Sequence, residues 1–303
     1  MVRRRSVKVS DCFGTHYLLL FSSIEAKLRK MAQVKAEAWL NDIGSGDLCS
    51  PFFDSSNLLH VCFSKSAEVW QISQHGQLTN FHESGGQLSA ACFDNQGALY
   101  LADFAHGGVL KAVKGQQELV VGVYEDRPLK GPNSIVCSAD SVIFSDSGPL
   151  GETGLHNPTG GVYIIKSGPS GQILQPISLG NLSYPTGVAS YGNLVYVAEQ
   201  SQNRILRFYQ EPEGVYHGSV FYQSSGGVGP SCITVDEQGS LYIGIYETCA
   251  SGKSTGTVLV LSDTGKVVST INTDGPEITG VAINSNVLYI TEKSLGTIFK
   301  VNI

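Results

Sequence analysis

One short unit recurs along most of this chain, and it constrains the fold more than any other feature. An apolar run is followed by a polar turn, then by a second apolar run that carries an aromatic and ends on an acid. The clearest copy spans residues 131–146, where Asn133 follows a Gly131-Pro132 break and Phe144 precedes Asp146. Relatives end on Asp103, Glu199, Glu247 and Glu292, and a degenerate first copy covers residues 57–62. The aromatics Tyr100, Phe144, Tyr196, Tyr242 and Tyr289 are spaced by 44, 52, 46 and 47 residues. That is the period of a four-stranded blade. Six such units predict an all-β fold, a six-bladed β-propeller filling residues 31–303 as one closed array.

The ends of the array predict how it closes. The last unit supplies only three runs, at 278–283, 287–291 and 297–303, so its blade lacks an outer strand and leaves an unpaired edge. The segment 35–41 is the natural donor, an N-terminal strand closing the last blade. Residues 1–30 stand outside the repeat, as a basic leader that is unstructured, targeting, or an extension ahead of a start at Met31. The third unit departs by length, inserting residues 147–160 between its second and third strands. A Gly- and Pro-rich insertion of this size reads as a lid over one end of the channel, with Glu152 and His156 facing the site.

The formal charge of −6 hides an asymmetry: residues 1–30 carry +5 and the remainder −11. An acidic body lacks the clustered Lys and Arg that phosphate binding needs, which excludes nucleic acid as a partner. No apolar run approaches the roughly 20 residues of a membrane span. Seven cysteines are dispersed without a CxxC pair, the pattern of reduced thiols, so the expected compartment is the cytoplasm. A mitochondrial or other organellar address through the basic N-terminus is the alternative.

Propeller geometry nominates a site. Inner strands run along the central channel, so the residue opening each one faces the channel mouth. This gives Cys49, Asn133, Thr186 and Ser231, with Glu277 as a further candidate. The second strand returns to the same face, bringing Asp103, Asp146, Glu199, Glu247 and Glu292 there as an outer acidic rim for a cationic ligand, or else as caps of the following turns. His106 and His156 lie on loops of this face and could act as bases, although no partner is visible in sequence. A small-molecule ligand or a protein at the channel mouth is the expected partner.

The repeats, the Gly-Pro-Asn opening of the third unit and its Pro149-Leu150-Gly151 then Gly160-Gly161-Val162-Tyr163 insertion resemble the SMP-30/gluconolactonase/LRE-like family of six-bladed propellers. Strictosidine synthase-like and paraoxonase-like propellers are similar at greater distance. The family resemblance implies a lactone hydrolase with one divalent cation at the channel mouth. It implies ligands from a first-blade Glu, a fourth-blade Asn and a fifth-blade Asp, with a third-blade Asn beside them. Asn133 matches the third-blade position. The other three fall on Cys49, Thr186 and Ser231, so both ionised ligands are missing and no metal or other cofactor is expected. Three readings follow. The first is a ligand-binding or protein-interaction propeller that has lost the metal. The second is a lactonase or esterase hydrolase using Ca, Zn or Mg with an altered ligand set, and the third a metal-independent strictosidine synthase-like enzyme. Whether the chain is an enzyme stays open at this point.

Overall fold

Asp54, Asp94 and Asp236 show how three of the repeats turn into a hairpin. Every one ends an inner strand and takes up two backbone N–H groups of the turn that follows; Asp94 Oδ1, for example, accepts from Gln96 and Ala98 at 2.9 and 2.8 Å. This Asx geometry fixes the turn and hence the register of the strands it joins. The structure, a computed structural model, describes residues 32–44, 46–138, 140–168 and 171–303. The leader expected at 1–30 lies outside the described residues.

Six antiparallel sheets arise from the repeats. Their inner strands are Leu48–Phe53, Leu88–Phe93, Pro132–Ser138, Pro185–Tyr191, Gly229–Val235 and Ile278–Asn284, numbered here as blades one to six. Second strands such as Leu99–Asp103 and Leu59–Phe63 are buried at every position. The reason is their place in the middle of a blade, with a neighbouring blade on each face, so they read as continuous apolar runs rather than as alternating ones. Between blades one and two, Phe52, Val69, Leu88 and Leu101 belong to one apolar cluster. Between blades four and five, Tyr196, Ile205, Leu241 and Ile243 belong to another. No helix among the described residues is long and apolar enough to cross a membrane.

The N-terminal segment closes the ring as its position in the sequence predicts, with one difference. Glu37–Leu40 pairs antiparallel with Thr297–Asn302 and completes blade six. Trp39 meets the edge of Tyr289 with ring centroids 6.0 Å apart, and Lys300 Nζ lies 3.1 Å from the Trp39 ring centre. The expected single strand at 35–41 is instead broken at buried Ala36. Ahead of it, Ala32–Lys35 runs parallel to the outer strand of blade five, Val267–Asp274. One segment therefore ties two blades, because a blade-five outer edge left bare would itself be an unpaired strand.

Candidate functional site

A cavity of about 710 Å³ opens at one end of the channel, and Cys49, Asn133, Thr186 and Ser231 all line it. Sequence reasoning missed the second and sixth members of this ring, Ser89 and Thr279, which line it too. Backbone register explains why these residues point inward. In blades two to six the pairing with the second strand skips one residue: Ser89, Asn133, Thr186, Ser231 and Thr279 in turn. Each is the extra residue of a β-bulge, freed from the ladder and re-aimed into the channel. Blade one differs, since Cys49 stays paired to Cys62 and the irregularity falls on Ser50, at φ +41, and Pro51.

Five of the six ring side chains are engaged with the protein itself. Cys49 Sγ donates to Ser89 O at 3.5 Å, Thr186 Oγ1 to Pro230 O at 3.0 Å, Ser231 Oγ to Ile278 O at 2.7 Å and Thr279 Oγ1 to Leu48 O at 2.9 Å. Every one of these bonds runs to the next blade's inner strand, so the ring stitches the propeller around its axis. Asn133 Nδ2 donates to Ser147 Oγ at 3.1 Å. Glu277 is not in the mouth lining; its carboxylate accepts the Cys249 N–H at 3.3 Å, and burial, reinforced by Glu277, pushes the Tyr246 hydroxyl up to about 12.

The five acids do not form an exposed rim. Asp103, Glu199 and Glu292 are 0% exposed, Asp146 3% and Glu247 8%. Asp146 accepts the N–H groups of Lys130 and Gly131, and Glu292 those of Glu277, Ser294 and Leu295. Glu199 takes Ser183 N–H and Arg204 Nε, and Glu247 takes Lys253 Nζ. Burial raises the Asp146 carboxyl above its usual range, against those two backbone bonds. Burial would raise Asp103 as well, but Ser84 Oγ at 2.6 Å, the N–H groups of His106 and Gln87, and the His106 ring outweigh it and hold it low. These carboxylates pin loops between blades, Asp103, Asp146, Glu199 and Glu292 on backbone N–H groups and Glu247 on the Lys253 ammonium.

What reaches the mouth is the segment just past each second strand. Phe104, Gln200, Thr248 and Lys293, each following an acid, line it with Ser64 of blade one and Gly148 of blade three. A strand alternates sides, so an acid turned under the loop sends its successor over the channel. That rule is a signal the sequence carried. The insertion at 147–160 does reach over the mouth, but through Pro149 and Leu150, the latter 76% exposed. Glu152 lies on a separate hollow with Thr153 and Asn157, and His156 is exposed and lines neither. His106 Nδ1 sits 3.1 Å from Asp103 Oδ1, also outside the mouth lining.

The donors present do not fit a hard divalent cation. Such ions take oxygen ligands and draw affinity from carboxylate charge, and the ring offers one thiol, one amide and neutral hydroxyls. Burial, reinforced by Asp47, pushes the Cys49 thiol up to about 12 despite Lys293, so it is no thiolate near neutral pH. Among the described residues no group of three His, Cys, Asp or Glu is placed to hold a metal ion. The same wall carries one acid, Asp47, bonded to the N–H groups of Lys65 and Ser66, and the opposing charge of Lys293.

Comparison with known proteins agrees with the fold. The family described as the SMP-30/Gluconolactonase/LRE-like region matches residues 52–294. Lactonase drp35 of Staphylococcus aureus (strain USA300) is 26% identical over 274 residues, taking in 74% of this chain and 81% of the relative. Among solved structures, the gluconolactonase XC5397 from Xanthomonas campestris has a TM-score of 0.71 at 18% identity, covering 86% of this chain and 87% of that one. The calcium-binding protein regucalcin from Agrobacterium tumefaciens reaches 0.72 at 17%, covering 90% and 95%. At such identities the two structures speak for the fold alone. With a matched region that runs from the first inner strand to the last turn, the chain belongs to the SMP-30/gluconolactonase/LRE-like family.

Proposed function

We propose that this chain is a ligand-binding member of its family that works without the divalent cation, holding a small molecule at the channel mouth directly on protein hydrogen-bonding groups. The observation that carries this reading is the state of Cys49, Thr186 and Ser231. The three positions that the family resemblance assigns to cation ligands bear neutral side chains bonded to the next blade's backbone. A small molecule fits better than a protein segment because the cavity of about 710 Å³ lies within the usual size of a small-ligand site. The compartment expected from the dispersed thiols, cytoplasm or an organelle reached through the basic leader, belongs to the same proposal.

The test is a back-substitution. Millimolar Ca²⁺ should leave the melting temperature of the wild-type protein unchanged, whereas Cys49→Glu, Thr186→Asn and Ser231→Asp together should gain a Ca²⁺-dependent rise. Saturation at 100 times Kd corresponds to about 2.7 kcal/mol. If the triple variant fails to fold, for want of the blade ties it removes, the wild-type melts decide alone. A lactonase with an altered ligand set is the second reading, favoured by the relative named lactonase drp35. It predicts lactone hydrolysis that chelation abolishes, and that result would replace the proposal.

A further inference from the structure

Two thiols face each other across one seam of the propeller. Alternate residues of a strand share a face, so Ala90 and Cys92 of the blade-two inner strand point one way, as do Ile135 and Cys137 of blade three. Both pairs enter one apolar cluster with Tyr100 and Phe144 of the second strands, which sets Cys92 and Cys137 on opposed faces of the same interface. Burial pushes the Cys92 thiol well above its usual range; the Cys137 thiol beside it and Asp94 push the same way, and the Cys137 N–H opposes them.

This seam differs from its counterparts. Cys49, Thr186, Ser231 and Thr279 each tie their inner strand to the next one through a backbone carbonyl, and Ser134 Oγ of blade three accepts the Val188 N–H of blade four at 3.2 Å. Between blades two and three, the facing pair with the chemistry to make a tie is Cys92 and Cys137. Both line the central channel, a cavity of about 380 Å³, Cys92 at 8% exposure and Cys137 half-buried. A thiol open to a small oxidant and poised next to a second, resolving thiol is the arrangement of redox-responsive cysteines.

We propose that Cys92 and Cys137 close to a disulfide under hydrogen peroxide, tying blade two to blade three, and that a thiol reductant reopens them. Cys137 Sγ attacks one peroxide oxygen, the O–O bond breaks, and a sulfenic acid and water result. Cys92 Sγ then attacks the Cys137 sulfur, the S–O bond breaks, and hydroxide leaves as water with the Cys92 proton. The two thiols lose two electrons and one peroxide gains them. The experiment is peptide mapping without reductant of the full chain, first reduced and then exposed to millimolar hydrogen peroxide at pH 8, with thermal unfolding alongside. A linked pair of peptides carrying Cys92 and Cys137 should appear. The melting temperature should rise by roughly 4–10 °C and return on adding dithiothreitol. Cys92→Ala and Cys137→Ala should each lose the link and the rise, while Cys232→Ala, which removes another thiol of the same channel, should keep both. If Cys92→Ala fails to fold, the half-buried Cys137→Ala and the wild-type map decide. Cys137 oxidised to a sulfinic acid with Cys92 left free would overturn the proposal. So would a link between Cys49 and Cys62, opposed in the blade-one ladder, in its place, a linked protein that melts no higher than the reduced one, or thiols that all stay reduced in tens of millimolar peroxide.

Discussion

Trp39→Ala probes the ring closure. Trp39 lies in the strand Glu37–Leu40, half-buried, against the cluster that contains Leu48 and Ile298. Complete removal of a buried Trp side chain costs about 3–5 kcal/mol, so a half-buried one should cost about 2. The Lys300 ammonium 3.1 Å from the ring centre adds a cation–π contribution of about 1 kcal/mol, and burial already draws the Lys300 pKa down, as a desolvated cation requires. A total near 3 kcal/mol converts to a melting temperature lower by roughly 5–10 °C in a domain of this size. Thermal unfolding followed by circular dichroism measures it, and a cycle with Lys300→Met should return a coupling of about 1 kcal/mol. Deleting residues 1–41 should lower the transition further, while deleting 1–30, which stand outside the repeat, should not move it. A Trp39→Ala protein melting within a degree of the wild type would refute the docked strand.

Two other outcomes follow from buried groups. Asp103→Asn should cost about 2–4 kcal/mol at pH 7, since a carboxylate with four hydrogen bonds is replaced by an amide that cannot accept them all. The Asp103 carboxyl is held below its unfolded value, so its contribution is present above about pH 4 and is lost as pH falls through the folded value. Melting temperatures of the variant should therefore fall less than those of the wild type between pH 5 and 3, and parallel curves would contradict this. In protein starting at Met31, a disulfide reagent at pH 8 should label exposed Cys249 first, and Cys49, with a thiol pushed up to about 12, orders of magnitude more slowly. Peptide mapping that finds Cys49 labelled as fast would show an ionised thiol at the mouth.

The repeat made the blades legible because a second strand sandwiched between neighbours must be apolar along its whole length. Its aromatic and terminal acid therefore stand out against the turns. The unpaired edge of the last blade made the closure legible for the same kind of reason. What the sequence could not show was the direction of side chains at the loops. Asp103 and Glu292 end their strands alike, and only their bonds to backbone N–H groups reveal that they turn under the face. The bulges at Ser89 and Thr279 were equally hidden, because a skipped register leaves no compositional mark when the extra residue is a small hydroxyl. Lys293 and Gln200 directly follow acids that the sequence left open as rim or turn caps, and only the capping geometry sends their successors over the mouth. The parallel strand Ala32–Lys35 was missed because four residues, Ala-Gln-Val-Lys, are too few to show a period of their own.

The central claim is that the channel mouth works without a divalent cation. Elemental analysis of untagged protein, purified without chelator and dialysed against 1 mM Ca²⁺ followed by metal-free buffer, tests it most directly. The account predicts Ca, Mn and Zn each well below one equivalent per chain, because the ring of Cys49, Asn133, Thr186 and Ser231 holds no ionised ligand and Asp47, the one acid lining the same cavity, is bonded to the N–H groups of Lys65 and Ser66. One equivalent of a divalent metal, lost with Thr186→Ala and Ser231→Ala, would contradict it.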